Sequence, residues 1–147
     1  MDKVVRSAAE AVADVGDGAS ILIGGFGVVQ AWPASLLLAL RDRAPRELTL
    51  IFNTPGVGPL SAQILAEAGL VRRVIASFAA YPTRSTPLEE QIKAGRVELE
   101  LVPQGTLAER VRAGGAGLAA FYTPTGVGTP IAEGKESRQI NGRWCVL

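Results

Sequence analysis

The sequence predicts an α/β fold, a mostly parallel sheet flanked by helices, and three observations predict it. Short apolar runs alternate with stretches of helical periodicity along most of the 147 residues. The first of these runs, "ASILIG" at 19–24, is apolar without alternation, as in a strand buried on both faces of a parallel sheet. Glycines stop successive elements, at Gly69 and Gly95 for example. A chain of this length suits one domain, residues 1–147, and 48 % hydrophobic residues suffice for its core.

Each element has its own signal. Val5, Ala8, Ala9, Val12 and Ala13 recur at helical spacing, so the first helix is placed at 3–14, ended by "GDG" at 16–18. The first strand is 19–24. Pro33 stands at the start of a helix over 34–43. "ELTLIFN", 47–53, is the second strand, and "TPGVGP" is a turn. A helix over 60–68 stops at Gly69. "VRRVIASF", 71–78, is the third strand, and a loop with two prolines follows at 79–87. A short helix at 88–95 leads to "VELELVP", 97–103, which alternates as a strand. Thr106 and Glu109 have the spacing of a capping box, which starts the next helix at Thr106 and runs it to 113. "GGAGLAAFYTPTGVGT" is a Gly- and Thr-rich loop. Asn141-Gly142 between two short runs predicts a hairpin.

Composition excludes several kinds of chemistry. There is no His, which removes Ser-His-Asp and Cys-His mechanisms and the commonest transition-metal ligand. A single Cys, Cys145, permits no intrachain disulfide and makes a zinc site improbable; its apolar surroundings suit a small core residue. No metal is therefore expected. The net charge of +1 gives no basic surface for nucleic acid. No apolar run approaches the ~18 residues of a membrane span. The charged start "MDKVVRSAAE" has no signal-peptide core, and a cytoplasmic protein is expected.

Chemistry must then come from carboxylates, amides, hydroxyls, Lys, Arg or the backbone. "GGFG", 24–27, lacks the spacing of a dinucleotide fingerprint and the Lys of a P-loop. Glycines at a strand's C-terminal end let a ligand approach the backbone, and they equally suit a tight turn with no ligand. Asn53 ends the second strand, where it faces a ligand crevice or makes an Asx turn into "TPG". Gln104 falls in a two-residue turn before the helix at Thr106, with its amide toward the same crevice. Capping accounts for Thr106 and Glu109 but not for Gln104 or for "GGAG", whose glycines cost entropy unless special backbone angles are needed. Glu89 with Glu90, and Glu98 with Glu100, read as solvated faces, and Glu133 and Glu136 as a surface turn around Lys135. None of them suggests a nucleophile.

Four strings together resemble a family: "GGFG" after the first strand, Asn53-x-x-Gly56-Val57 after the second, "VELELVPQGTLAERVRAGGAG" at 97–117, and "FYTPTGVGT…AEGKE…NGR". They resemble the alpha subunit of family I CoA-transferases, most nearly the succinyl-CoA:3-ketoacid type. The resemblance covers essentially the whole chain and is almost continuous from Leu99 to Gly128. It implies a CoA-transferase-like fold and a hetero-oligomer with a B subunit. A Glu of that B subunit would attack an acyl-CoA, pass through an acyl-glutamyl anhydride and a glutamyl-CoA thioester, and hand CoA to an acid acceptor such as acetoacetate in ketone body metabolism. Coenzyme A would be a substrate rather than a permanently bound cofactor. Acyl-CoA and short carboxylic acids would be the small-molecule partners. Gly24, Gly25, Phe26, Gly27, Val28, Val29 and Gln30 match the family's proposed CoA-binding turn. Gln104 matches a glutamine placed near the reacting carboxylate, and Asn53 the first of an Asn pair whose second member is Thr54 here. The family commonly follows its glycine turn with Leu-Cys-Gly-Ile-Pro-Glu, where this chain has Val28 to Ala34 with a bulky Trp32. The family's alpha subunits continue past the equivalent of Leu147. A degenerate or truncated, non-catalytic CoA-binding or assembly module of the same fold is the alternative.

Overall fold

The first strands pair side by side in chain order. Ser20–Leu22 (β1) pairs parallel with Leu48–Phe52 (β2), matching Leu22 to Ile51. β2 pairs parallel with Val71–Ala76 (β3), and Glu98–Leu101 (β4) completes the order β1-β2-β3-β4. The inner position of β2 matches its burial on both faces: Leu48, Leu50 and Phe52 are buried on one face and Thr49 on the other. The predicted α/β class and the mostly parallel sheet are thus observed. The computed structural model describes residues 4–25, 32–81 and 84–147. They form two compact units, one ending at Glu100 and the other running Leu101–Leu147.

In the first unit all helices but one are shorter than the periodicity predicts. Ala8–Ala11 (α1) is one turn, although 3–14 has helical spacing. Ser7 starts it: its hydroxyl accepts from the Glu10 N–H at 3.1 Å, and Glu10 reaches back to the Arg6 N–H at 3.0 Å. The second bond comes from the residue before the cap and not from Ser7 itself, so this turn differs from a true capping box, and the spacing of apolar residues does not reveal it. Ala34–Arg43 (α2) has the predicted bounds, begins after Pro33 and buries Leu37 and Leu40. Gln63–Glu67 (α3) ends at Gly69, whose φ is 69°. There the Leu70 N–H reaches Leu65 O and the Gly69 N–H reaches Ala66 O, a closure that needs left-handed backbone. Pro87–Lys93 (α4) is capped by Thr86, whose hydroxyl accepts from the Glu89 N–H at 3.3 Å. The core joins the sheet to these helices through Leu37, Leu40, Leu50, Leu65, Val74 and Leu88.

The second unit contains Gln104–Gly115 (α5), a 3-10 turn at Pro130–Ala132, and the antiparallel pair Ser137–Ile140 (β5) and Arg143–Val146 (β6). The predicted hairpin is present, with Asn141 at φ 49° and Gly142 at φ 76°, as a primed turn requires. Cys145 is buried. Among the described residues no helix is long and apolar enough to cross a membrane.

Candidate active site

Parallel pairing of β1 with β2 brings two predicted positions to one end of the sheet. Gly24 and Asn53 each stand two residues beyond the Leu22–Ile51 pair, at the C-terminal ends of neighbouring strands. That end is where open α/β sheets bind ligands. Gly24 and Gly25 are exposed. Gly24 has no positive φ, and none of the described residues lies within 4 Å of the position its Cβ would take. The backbone angle at Gly24 therefore does not by itself require glycine. Phe26, Gly27, Val28, Val29 and Gln30 lie outside the described residues.

Asn53 is exposed, and its main-chain oxygen accepts from the N–H groups of Ser77 at 3.1 Å and Phe78 at 2.9 Å. The loop after β3 is thereby tied to the end of β2. Thr54 makes the next contacts: its hydroxyl shares a 2.6 Å hydrogen bond with the Tyr81 hydroxyl and receives the Gly56 N–H at 3.4 Å. Tyr81 stands in edge-to-face contact with Phe78, ring centroids 5.1 Å apart. Gln63, fully buried, donates to Gly56 O and accepts from the Leu88 N–H, which joins this loop to the start of α4. No motif points to Tyr81 or Gln63; only their partners, far along the chain, make them matter.

The Trp32 indole lies over Gly56. Gly56 has φ 71°, and a Cβ there would lie 2.6 Å from Cε2 and Nε1 of the Trp32 indole. The ring thus lies against bare backbone. Its Nε1 is buried with no hydrogen-bond partner among the described residues. Trp32 also walls, with Gly24, Ile23 and Leu36, an apolar cleft of about 570 Å³. The bulky residue that departs from the family turn therefore fills the space beside the β2 turn.

In the second unit, α5 begins earlier than its predicted capping box. Gln104 is its first residue rather than part of a preceding turn, and Pro103 is the cap. Pro103, with ψ 141°, ends the strand-like backbone, and its carbonyl accepts from the Leu107 N–H at 2.9 Å. Thr106 is then two residues inside the helix. Its hydroxyl is buried with no hydrogen-bond partner among the described residues, and Glu109 pairs with Arg112 at 2.8 Å instead of reaching back. The reading of "GGAG" also changes. Gly114 and Gly115 are helical, and Gly117 alone takes a left-handed angle, φ 70°. Leu118 N–H to Ala113 O at 2.9 Å and Gly117 N–H to Gly114 O at 3.2 Å close the helix end. Gln104 is exposed, at a helix N-terminus with its outward main-chain N–H groups.

Several of the carboxylates stand in ion pairs or hydrogen bonds. Glu98 and Glu100 face Arg73 at 3.5 and 2.7 Å across the sheet. Glu89 pairs with Lys93 at 2.7 Å, and its side chain is only 13 % exposed, so it is not the solvated face its spacing suggests. The hydrogen bond from Lys93 holds its carboxyl below the usual range. Glu136 accepts from the Tyr122 hydroxyl at 2.7 Å and from Arg138 at 2.6 Å. Among the described residues no group of three or more His, Cys, Asp or Glu is placed to hold a metal ion. What these two stretches offer is hydrogen-bond donors: amides, hydroxyls and the start of a helix.

The profile of the coenzyme A transferase family matches residues 5–147. The chain belongs to the coenzyme A transferase family. It is 45 % identical over its whole length to the A subunit of 3-oxoadipate CoA-transferase from Pseudomonas putida, of which it covers 63 %. It is likewise 45 % identical over its whole length to the A subunit of a probable succinyl-CoA:3-ketoacid coenzyme A transferase from Bacillus subtilis, covering 60 %. The chain therefore spans about 60 % of the length of these relatives. Among solved structures, an acyl-CoA transferase from E. coli in a thioester complex with CoA superposes at TM-score 0.78 and 20 % identity. It matches 96 % of this chain and 31 % of its own. A decarboxylase AibA/AibB variant superposes at TM-score 0.75 with 27 % identity, over 96 % of this chain and 56 % of its own. The fold of this CoA-transferase relative is thus the one observed here.

Proposed function

We propose that the chain acts as the alpha subunit of a CoA-transferase, a single functional domain over residues 1–147 that works with a B subunit in the cytoplasm. The observation that carries this reading is the 45 % identity, over the full chain, to the corresponding subunits of enzymes named for 3-oxoadipate and for succinyl-CoA with 3-ketoacids. Donor and acceptor are accordingly succinyl-CoA and a 3-oxo acid such as acetoacetate. The nucleophile is a glutamate of the partner. Its carboxylate oxygen attacks the thioester carbonyl, the C–S bond breaks, and CoA leaves as the thiolate. The thiolate then attacks the glutamyl carbonyl of the anhydride and releases succinate. The acceptor carboxylate attacks the glutamyl thioester and expels the thiolate, which then attacks the acyl carbonyl of the new anhydride and releases the glutamate carboxylate of the partner. Every step creates a tetrahedral oxyanion. Gln104 and the main-chain N–H groups at the start of α5 supply donors to it, and Asn53 supports the reacting groups. Gly24 to Gln30 take the CoA.

The test is co-expression with the B subunit, followed by exchange of labelled succinate into succinyl-CoA. Borohydride added after acyl-CoA should reduce the glutamyl thioester and inactivate the enzyme, with the modification mapping to the partner. A stable complex with no exchange and no trapped thioester overturns the transferase reading. Absence of any complex would favour the non-catalytic module.

A further inference from the structure

The ribbon of β5 and β6 has one covered edge and one open edge. The Leu147 N–H reaches Glu136 O at 2.9 Å, so by alternation Glu136, Arg138 and Ile140 turn their main-chain groups toward β6. Thr123 closes the far side of β6, exchanging two main-chain bonds with Val146 at 2.9 and 2.8 Å. Ser137 and Gln139 turn their N–H and C=O groups the other way, where no described strand lies. All four residues of β5 are exposed. A two-stranded ribbon is marginal by itself, and an open edge is a template for another strand. The edge is also charged. Glu136 accepts from the Tyr122 hydroxyl and from Arg138 Nε, both at the same carboxylate oxygen. The Arg138 guanidinium is a fork with further donors, and its side chain is 63 % exposed.

We propose that β5 is a self-association edge, to which a second copy of this chain adds its own β5 antiparallel, about a two-fold axis at Ser137. Outward main-chain groups bond only where Ser137 or Gln139 of one copy stands opposite one of the same two residues of the other. An axis at Arg138 sets the two Arg138 side chains face to face, which like charges disfavour. An axis at Gln139 sets Arg138 opposite Ile140 and Ser137 opposite the Asn141 turn, with no charge matched. An axis at Ser137 sets Glu136 of each copy opposite Arg138 of the other. Those pairs fall at the non-hydrogen-bonded positions, where opposing side chains lie closest. The four charges then alternate in sign, and a network of this kind counts where one exposed pair does not. A two-fold interface needs a patch complementary to itself, and the order Glu136-Ser137-Arg138 is one.

Sedimentation equilibrium of the purified chain should show a monomer–dimer equilibrium that weakens as salt is raised. Arg138→Glu sets like charges opposite each other at both pairs and should weaken the dimer about tenfold or more. Glu136→Arg should do the same. Mixed together, these two variants restore opposite charges at both pairs, so they should associate with each other although neither does so with itself. Misfolding cannot produce that rescue. Cysteine trapping reads the register. Ser137→Cys stands opposite itself and should form a disulfide-linked dimer under mild oxidation. Gln139→Cys should not, because its two copies lie four residues apart along the strands, roughly 13 Å. The buried Cys145 should leave the parent chain without a cross-link. A chain that stays monomeric at every concentration overturns the proposal. So does a dimer indifferent to Arg138→Glu, a mixture that fails to associate, or equal trapping at 137 and 139. Loss of the Ser137→Cys cross-link once the B subunit is bound overturns it too, and gives the edge to that subunit.

Discussion

Gly56 carries two constraints that act together. Its φ of 71° disfavours any side chain, and the Trp32 indole occupies the space a Cβ would need. A left-handed alanine costs about 1–2 kcal/mol, and the 2.6 Å overlap adds to it. Gly56→Ala should therefore destabilise the chain by about 2 kcal/mol or more, read from denaturant midpoints. Adding Trp32→Ala should recover the steric part but not the backbone part. Equal losses in the single and double variants would mean that the ring is not the obstacle. At Gln104 the expected effect is on rate. Loss of one donor to an oxyanion costs about 3–4 kcal/mol, so Gln104→Ala should lower turnover of the assembled enzyme by ~10² or more. Folding should be untouched, because Gln104 is exposed at the first helical position. Unchanged turnover would remove it from the chemistry.

Elements in this chain are bounded by hydrogen bonds at their ends more than by apolar periodicity. The stops at Gly69, Gly95 and Asn141-Gly142 were legible because left-handed backbone has a strong residue preference. The start of α5 was not, because Pro103 and Thr106 both suit a helix start, and local spacing cannot choose between them. The hairpin has a polar counterpart at β5. Glu136 is exposed, and the hydrogen bond from Tyr122, then that from Arg138, lowers its pKa; the Tyr122 hydroxyl is raised by the same bond. A depressed carboxylate contributes stability above its unfolded value, and that contribution disappears as pH falls through the folded value. Glu136→Gln should thus lower Tm at neutral pH, and the difference from the parent should vanish in strong acid. A difference that persists there would assign the loss to shape instead of charge.

For the whole molecule, two sheet regions differ in exposure. β2 is covered on both sides, whereas β1 has one described neighbour and leaves Leu22 60 % exposed. A flat apolar edge invites pairing with another chain. Leu22→Lys should reduce self-association of the isolated chain, measured by light scattering, while Tm stays within experimental error. Unchanged association would place the sticky surface elsewhere, for example around Trp144, which is 58 % exposed.

The sequence by itself determined the class, the order of strands and helices, the glycine stops, the hairpin and the family, because these rest on periodicity, backbone preference and long continuous strings. It also singled out Gly24, Asn53 and Gln104. Parallel register then set Gly24 beside Asn53. Only the tertiary structure decided that Trp32 rests on Gly56, that Tyr81 holds Thr54, that Glu98 and Glu100 are spent on Arg73, and that the Thr106 hydroxyl is buried with no partner among the described residues. Each of those facts depends on which atoms from distant parts of the chain meet, and in two of them on a polar atom left without a described partner. Spacing along one chain does not encode either.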